Sequence, residues 1–302
     1  MKILAGLCLT LAPWLAAQPP EQKPELTSLL GRPLFALPDT TGEVAKAYQA
    51  LAADPDNLEK LLETARVRAA LQQFHSAIDI YTHALDKAPQ DPRLYRLRGH
   101  RFISLRRFDD AIRDLEKGVQ LAPASFDISY HLGLAYYLQG EFGKAADEYA
   151  RCMRMSDGKE TIQDAGGALP KGYRSCADLN DDARVAIANW RYQALRRAGR
   201  PQEARRLLDT IHERMQVSEN TAYYRALLFF KKVRSEEQTL DKEQLKGNQW
   251  VTAGYPVANA RQMQGDSRGA CVLWREIVDG SYWAAFGFIA AEVELARGRA
   301  CR

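Results

Sequence analysis

The chain has 302 residues, of which 46% are hydrophobic and 26% are charged, and its formal net charge is +4. This composition excludes a wholly disordered chain, because there are enough apolar residues to form a packed core. The net charge is by itself too small to indicate a polyanionic partner.

The first residues are typical of a secretory signal peptide. Lys2 is followed by an apolar run that ends at Leu15, Ala16 and Ala17. A basic start, a short apolar segment and small residues before a polar stretch predict that residues 1–17 are removed and the protein is exported, to the periplasm or beyond the cell. The run is too short for a permanent membrane span, and a buried N-terminal helix is the alternative.

Residues 18–42 contain five prolines, and we expect them to form a tether with little regular structure. Beyond this tether, no apolar run approaches the length of a membrane span. The sequence therefore predicts a mature protein without a permanent span.

An internal repeat follows the tether. Three segments, which start near Leu58, Arg93 and Asp127, align with one another at a single constant spacing. The coincident positions are Ala65, Gly99 and Gly133; Phe74, Phe108 and Phe142; Ala77, Ala111 and Ala145; Ala84, Gly118 and Cys152; and Pro89 and Pro123. Each unit has apolar residues at helical spacing on both sides of a polar turn, which predicts two amphipathic helices. The small residues allow these helices to cross closely, and the proline ends the second helix.

These units resemble tetratricopeptide repeats, which implies an all-α fold, an α-solenoid of helix-turn-helix units. The resemblance is strongest over residues 58–157. Because Pro55 lies one repeat spacing before Pro89, a degenerate unit precedes the first good one, and we place the repeats at residues 43–156. A weaker match over residues 183–302 predicts degenerate units and a terminal helix that caps the last of them.

Residues 157–182 interrupt the repeat with an irregular, acidic insertion. Insertions in repeat arrays usually form loops on one face. Two interpretations stay open: the loop folds back on the arginine-rich helices that follow, or it is an exposed loop beside a solvated basic face.

Residues 265–269 spell G-x-S-x-G, the pattern of a nucleophile elbow. Ser267 aligns, however, with Phe74, Phe108 and Phe142 in the turn between paired helices, and the segment before it is helical in pattern. No histidine follows it in the chain. We therefore interpret this run as a turn rather than an active site.

The resemblance implies a protein or peptide ligand that lies along the concave surface formed by the first helix of each unit. Mapped onto this sequence, and beginning at Glu59, that surface comprises Arg66, Arg93, Arg96, His100, Tyr130, Tyr137, Asn189, Gln193 and Arg196. The alternative is that these are ordinary polar residues on helices. The lysines and asparagines with which some members of the family clamp the acidic C-termini of chaperones are absent, because Leu62, Arg66, Leu97, Asp127 and His131 stand in their places.

The predicted function is a non-enzymatic scaffold or adaptor in the cell envelope or outside the cell. The sequence has no H-E-x-x-H or paired C-x-x-C pattern and no P-loop, so we expect no metal and no cofactor. A hydrolase or another enzyme with its site in the irregular insertions is the alternative. Nucleic-acid binding through the arginine-rich helices is disfavoured by the modest charge and the signal peptide.

Removal of the signal peptide leaves four cysteines, which an oxidising compartment could pair in three ways. We favour Cys152 with Cys176, which fastens the insertion to the third unit, and Cys271 with Cys301, which holds the terminal helix. Against this, Cys152 occupies a small-residue position of the repeat, where a free thiol would also pack.

Overall fold

The computed structural model describes residues 23–158, 169, 172–298 and 301. The predicted signal peptide, residues 1–17, lies outside the described residues, and so does much of the insertion.

The described residues form fourteen α-helices and one two-stranded hairpin. The helices are α1 (Glu43–Ala52), α2 (Leu58–Ala70), α3 (Phe74–Lys87), α4 (Pro92–Ser104), α5 (Phe108–Leu121), α6 (Phe126–Gln139), α7 (Phe142–Ser156), α8 (Asp181–Arg197), α9 (Pro201–Asp209), α10 (Thr221–Phe230), α11 (Glu236–Thr239), α12 (Asn248–Met263), α13 (Ser267–Val278) and α14 (Phe286–Arg297). Consecutive helices pack against each other from α1 to α9 and from α12 to α14, and α10 packs on α8 and α12. The prediction of an all-α solenoid is confirmed.

Three regular units are formed by α2 with α3, α4 with α5 and α6 with α7. Their small residues lie where the two helices of a unit cross. A Cβ atom added to Gly99 would lie 2.8 Å from Cγ of Leu115, and one added to Gly133 would lie 2.5 Å from the Tyr149 ring. Larger residues at these positions would separate the paired helices.

The turn between the paired helices has the same backbone geometry in each regular unit. Gln72, Arg106 and Gly140, which occupy equivalent positions of the three units, have φ values of 59°, 61° and 97°. Left-handed backbone at a fixed repeat position ends the first helix and reverses the chain. Gly199 and Gly265 have the same conformation in the later units.

The second half of the chain keeps the helical-hairpin pattern less regularly. Helix α10 is followed only by the four-residue helix α11, so this unit is poorly formed. Helix α14 packs on α12 and α13 and also contacts α6 of the third unit. It begins at Phe286. In the non-helical segment before α14, Trp283 is buried against the Phe74 ring, at 5.4 Å between ring centroids.

The N-terminal segment is not a free tether. Within residues 23–42, the regular structure is a hairpin of β1 (Leu26–Thr27) and β2 (Pro33–Leu34). The Leu37 amide donates a hydrogen bond to the Leu71 carbonyl, at 2.8 Å. The Leu29 amide donates to Glu292 Oε1, at 2.7 Å. The segment therefore joins the first unit to the last helix.

These contacts close the solenoid on itself along a surface that we call the seam, formed by Arg106, Trp283 and Glu292 with the N-terminal segment. Glu292 is fully buried, and Arg106 Nε donates to its Oε2 at 2.7 Å. Arg106 also donates to the carbonyl oxygens of Ser104, at 2.5 Å, and Trp283, at 3.0 Å. Both charged side chains of the seam thus have partners.

Inside the closed solenoid, aromatic and amide side chains fill the space between the first helices. Tyr137 and Tyr255 are hydrogen-bonded through their hydroxyls at 2.7 Å, and Trp190 stacks on Tyr255 at 5.7 Å. Asn259 Nδ2 donates to the Tyr137 hydroxyl and to Gln193 Oε1. A hydrogen-bonded polar network of this kind fixes the arrangement of the helices.

The two disulfides are Cys152–Cys176 and Cys271–Cys301, the pairs that we favour from the sequence. The first joins α7 to the end of the insertion. There, Ser175 forms a β-bridge with Ser125, and the Cys176 amide donates to the Ala124 carbonyl. The described end of the insertion therefore lies against the start of α6, rather than on the arginine-rich helices α8 and α9.

Ser267 is the first residue of α13, and the residue before it, Asp266, accepts a hydrogen bond from the Gly269 amide at 2.9 Å. Helix α12, not a strand, precedes this turn. A nucleophile elbow requires a strand before the serine. The interpretation of this run as a turn is confirmed.

Candidate ligand-binding groove

Two adjoining cavities lie on the first helices of the regular units. One has a volume of about 460 Å³ and the other about 440 Å³, and both are lined by Arg96, His100 and His131. We call the continuous depression the groove. Its first part is further lined by Phe126, Asp127, Tyr130, Arg174, Asn220, Tyr223, Asn248, Gln249, Thr252 and Phe286, and its second part by Arg66, Ala69, Tyr81, Leu97 and Arg101, among others.

Four of the predicted surface residues line this groove. Arg66 lies on α2, Arg96 and His100 lie on α4, and Tyr130 lies on α6. Tyr130 is only 8% exposed, and its hydroxyl is hydrogen-bonded to that of Tyr223 at 3.0 Å. The helical register of the repeats therefore brings these four residues together as expected.

Three other predicted surface residues are buried beneath the groove, which corrects their placement. Tyr137 is 1% exposed, while Asn189 and Gln193 are fully buried. They face inward because the second half of the chain packs across the first helices and covers them. Neither a ligand nor solvent reaches these side chains in this structure.

The remaining two predicted residues lie outside the groove. Arg93 is held by Asp91 and by Glu59, whose carboxylate is 2.7 Å away. Arg196 donates to the Tyr192 hydroxyl and lines a separate cavity near the C-terminal end of α8.

Much of the groove comes from parts of the chain that the repeat pattern does not bring together. Arg174 belongs to the insertion, Tyr223 to α10 and Phe286 to the start of α14. His131 and Arg101 were not predicted as contact residues. Both lie on first helices, so the repeat register could have identified them as candidates for this surface. The others are placed by contacts between parts of the chain that lie far apart in sequence.

Four helices begin at the groove, and their N-terminal ends make it electropositive. The first turns of α6, α10, α12 and α14 all contribute lining residues. The last three of these helices have no side-chain cap at their N-termini. Uncapped backbone amides and the helix dipole favour a negatively charged group nearby.

The rings of the two histidines of the groove are in contact at a tilt of 44°, with 4.4 Å between ring centroids. Burial, together with the nearby Arg96, lowers the pKa of His131 to about 3. Burial lowers the pKa of His100 well below its usual value, and the charge of Arg101 acts in the same direction. Both rings are therefore neutral at physiological pH and serve as hydrogen-bonding groups.

Two carboxylates line the groove, those of Asp127 and Glu219, and Asp127 is shared between two arginines. Arg174 Nη2 lies 3.3 Å from Asp127 Oδ1, and Arg96 Nη2 lies 3.7 Å from the same atom. The Nε atom of Arg96 is buried and has no hydrogen-bond partner in the described structure. The positive charge of the groove is thus only partly compensated by the chain itself.

Within the described ranges, no group of three or more His, Cys, Asp or Glu side chains is placed to hold a metal ion. The same residues include no helix that is both long and apolar enough to cross a bilayer.

The closed array of helical hairpins defines the class of protein: an α-solenoid. Residues 96–156 match the family model for the tetratricopeptide repeat. These residues cover α5, α6 and α7 and most of α4, which are the regular units that line the groove. This part of the chain is therefore built from tetratricopeptide repeats.

Two curated proteins show related sequence. The chain is 28% identical over 163 residues to the human WD and tetratricopeptide repeats protein 1, an alignment that covers 51% of this chain and 21% of the human protein. It is 28% identical over 106 residues to the small glutamine-rich tetratricopeptide repeat-containing protein 2 of Saccharomyces cerevisiae, covering 35% of this chain and 29% of the yeast protein. The chain therefore spans less than a third of the length of either relative.

Solved structures with a similar course of helices include MamA and YrrB. The MamA crystal structure is 20% identical, with a TM-score of 0.43, over 56% of this chain and 78% of MamA. That of YrrB, described as a TPR protein with an unusual peptide-binding site, is 12% identical, with a TM-score of 0.44, over 78% of this chain and 92% of YrrB.

Proposed function

We propose that this protein is an exported, non-enzymatic scaffold that binds a segment of another protein in the groove. Tetratricopeptide repeat proteins are generally protein-binding scaffolds, and the first helices of the units that match the family line this groove. The observation on which the proposal depends is that four residues of the predicted surface, Arg66, Arg96, His100 and Tyr130, line one continuous depression.

The lining suits a peptide. Aromatic side chains at Tyr130 and Phe286 offer flat apolar contact area, while Asn220, Asn248 and Gln249 offer amides that can pair with a peptide backbone. Arginine and tyrosine are enriched among residues that dominate binding energy at protein interfaces. A mixed apolar and polar lining of this kind supports recognition of an extended segment.

The test is affinity capture from a cell-envelope extract. The immobilised bait is the purified wild-type protein, the Arg96→Glu variant or the Arg113→Glu variant. Arg113 lies on the second helix of the same unit, and its side chain is 69% exposed outside the groove. We expect a partner that binds to wild type and Arg113→Glu but not to Arg96→Glu, with the binding of the purified pair measured by calorimetry. Equal binding of the partner to all three proteins would refute the proposal that it binds in the groove.

Export is supported by the basic, apolar and small-residue pattern of residues 1–17 and by the two disulfides, which persist in oxidising compartments. N-terminal sequencing of the protein from cell fractions tests this part. A mature chain that starts at Gln18 in the envelope or the medium agrees with it, and an intact Met1 in the cytosolic fraction contradicts it.

The enzyme alternative has a direct test as well. A hydrolase activity that copurifies with wild type and persists in Arg96→Glu would place the function outside the groove. We expect no such activity.

A further inference from the structure

We propose that Arg96, His100 and Arg101 on α4 form an anion subsite within the groove, and that it takes the acidic side chains of the bound protein segment. This inference depends on the proposed function, in which the groove binds a peptide, and it adds the chemistry of that peptide. Arg96 and His100 line both parts of the groove, and Arg101 lines the second.

The strongest observation is the charge of Arg101. Among the residues that the structure describes, no carboxylate lies within ion-pair distance of its guanidinium. Its contacts are a hydrogen bond to His100 Nδ1 and the face of the Phe74 ring, 5.1 Å from the guanidinium carbon. Burial lowers the pKa of Arg101 to about 10, and the charge of Arg96 acts in the same direction. A cation that is withdrawn from water without a counter-ion is costly, and a bound anion removes that cost.

Arg96, five residues earlier on the same helix, has the same incomplete compensation. Its only carboxylate neighbour among the described residues is Asp127, at 3.7 Å, and Asp127 is closer to Arg174. The buried Nε–H of Arg96 donates to nothing in the described structure. The charge of Arg96 is therefore compensated only by a carboxylate that already pairs with Arg174.

The hydrogen bond between Arg101 and His100 also defines the proton position on the imidazole. A guanidinium can only donate, so His100 Nδ1 accepts and the neutral ring has its proton on Nε2. The Nε2–H group has no hydrogen-bond partner among the described residues, and His100 lines both cavities. It is thus a free donor in the same groove as the two guanidiniums, and a carboxylate can accept hydrogen bonds from all three groups.

Other arginines near Arg96 and Arg101 are paired with carboxylates. Arg98, two residues from Arg96 on α4, donates to both carboxylate oxygens of Asp114, at 2.7 and 2.8 Å. Arg106 is paired with Glu292. The lack of a partner at Arg101 is therefore local to the groove and is not a general property of the arginines on this helix.

The surrounding groove favours a peptide as the source of the anion. The uncapped N-termini of α10, α12 and α14 extend the positive potential into the first part of the groove. The amide and aromatic residues beside them suit backbone and side chains, whereas a nucleic acid would match a more strongly basic protein than one of net charge +4. An acidic protein segment satisfies both the charge and the lining.

The experiment measures the binding of two short fluorescent peptides by anisotropy. One alternates Glu with Tyr, and the other alternates Gln with Tyr. The proteins are wild type, Arg96→Gln, Arg101→Gln, the control Arg113→Gln, and Thr252→Trp, which fills the first part of the groove without changing a charge. Dicarboxylate binding is measured in parallel from the rise in melting temperature with glutarate at constant ionic strength.

We expect wild type and Arg113→Gln to prefer the Glu peptide, and each groove arginine variant to lose about tenfold or more in affinity for it, since a charge-assisted hydrogen bond is lost. The affinity for the Gln peptide should change little in these variants. Glutarate should stabilise wild type but not Arg101→Gln.

Several results would overturn the proposal: equal binding of the two peptides, no binding of either, stabilisation by glutarate without a preference for the Glu peptide, or tighter binding of a single-stranded oligonucleotide that depends on Arg101. If Thr252→Trp lost binding of the Glu peptide while both arginine variants kept it in full, the groove would still be the binding site. The anion subsite would then be rejected. Circular dichroism of each variant verifies that it is folded.

Discussion

The seam and the groove each contain an arginine that is withdrawn from solvent near the end of α4, and the two are treated differently by the fold. At the seam, the buried Arg106 donates to Glu292 and to two carbonyl oxygens, so its charge is fully paired. In the groove, the partly buried Arg101 has one imidazole nitrogen and one aromatic face as its contacts. A buried charge therefore has a different role in each region. At the seam the paired arginine stabilises the fold, whereas in the groove the unpaired arginine can bind an anionic ligand.

The largest effect is expected at the seam. Replacement of Glu292 by Gln should lower the free energy of unfolding by about 3–5 kcal/mol, because it leaves Arg106 buried and without a carboxylate. Urea denaturation followed by circular dichroism measures the change, with the exposed Arg113→Gln as control. If the loss were no larger than in the control, the seam would not be the closure that holds the two ends of the solenoid together.

The disulfide that borders the groove should contribute the next largest effect. Cys152 and Cys176 are 24 residues apart, and removal of both thiols by Cys→Ser should cost about 3 kcal/mol through the entropy of the unfolded chain. The same change loosens the segment that places Arg174 beside Asp127. Denaturation of wild type and of the double variant, both without reductant, measures the change, because reductant would also break Cys271–Cys301. Retention of full stability in the double variant would show that the bond is dispensable.

The groove histidines should make stability depend on pH. His131 has a folded-state pKa of about 3, lower than its ordinary value near 6.5, so the unfolded chain binds the proton more strongly. Its contribution is complete above pH 6.5 and is lost as the pH falls toward 3, at up to about 1.4 kcal/mol per pH unit. Unfolding free energies of wild type and His131→Asn between about pH 7 and 4 should converge at acidic pH. Parallel curves would mean that the imidazole stays accessible to protons in the folded protein.

The smallest effect on the free energy of unfolding is expected at Arg101, and it contrasts directly with the effect at the seam. Replacement by Gln should change the free energy of unfolding by less than about 1 kcal/mol, because the lost contacts with His100 and Phe74 are offset by removal of an unpaired, partly buried charge. Denaturation under the conditions used for Glu292→Gln provides the measurement. A loss as large as that at the seam would make Arg101 a structural residue.

The constant repeat spacing was sufficient to predict the helical hairpins, because small residues at fixed positions are required wherever two helices cross closely. Gly99 and Gly133 lie at such crossings in the structure. The same register brought Arg66, Arg96, His100 and Tyr130 to one surface, since first helices of successive repeats stack side by side.

The register could not show which residues on that surface stay accessible. Tyr137, Asn189 and Gln193 occupy first-helix positions, yet they are covered by helices from the second half of the chain. Their burial depends on contacts between residues far apart in sequence, such as Tyr137 with Tyr255 and Gln193 with Asn259. A local periodic pattern contains no information on such pairs.

The sequence by itself therefore determined the secondary structure, the repeat units and the spacing that makes the two cysteine pairs plausible, because each of these depends on residues that are neighbours along the chain or one repeat apart. Only the tertiary structure decided that the solenoid closes at the seam, that the N-terminal segment binds both of its ends, and that Arg101 lacks a carboxylate while Arg106 has one. The physical reason is that closure and charge compensation depend on which distant groups meet after folding, and a partner such as Glu292, which is 186 residues from Arg106, leaves no mark on the local sequence around it.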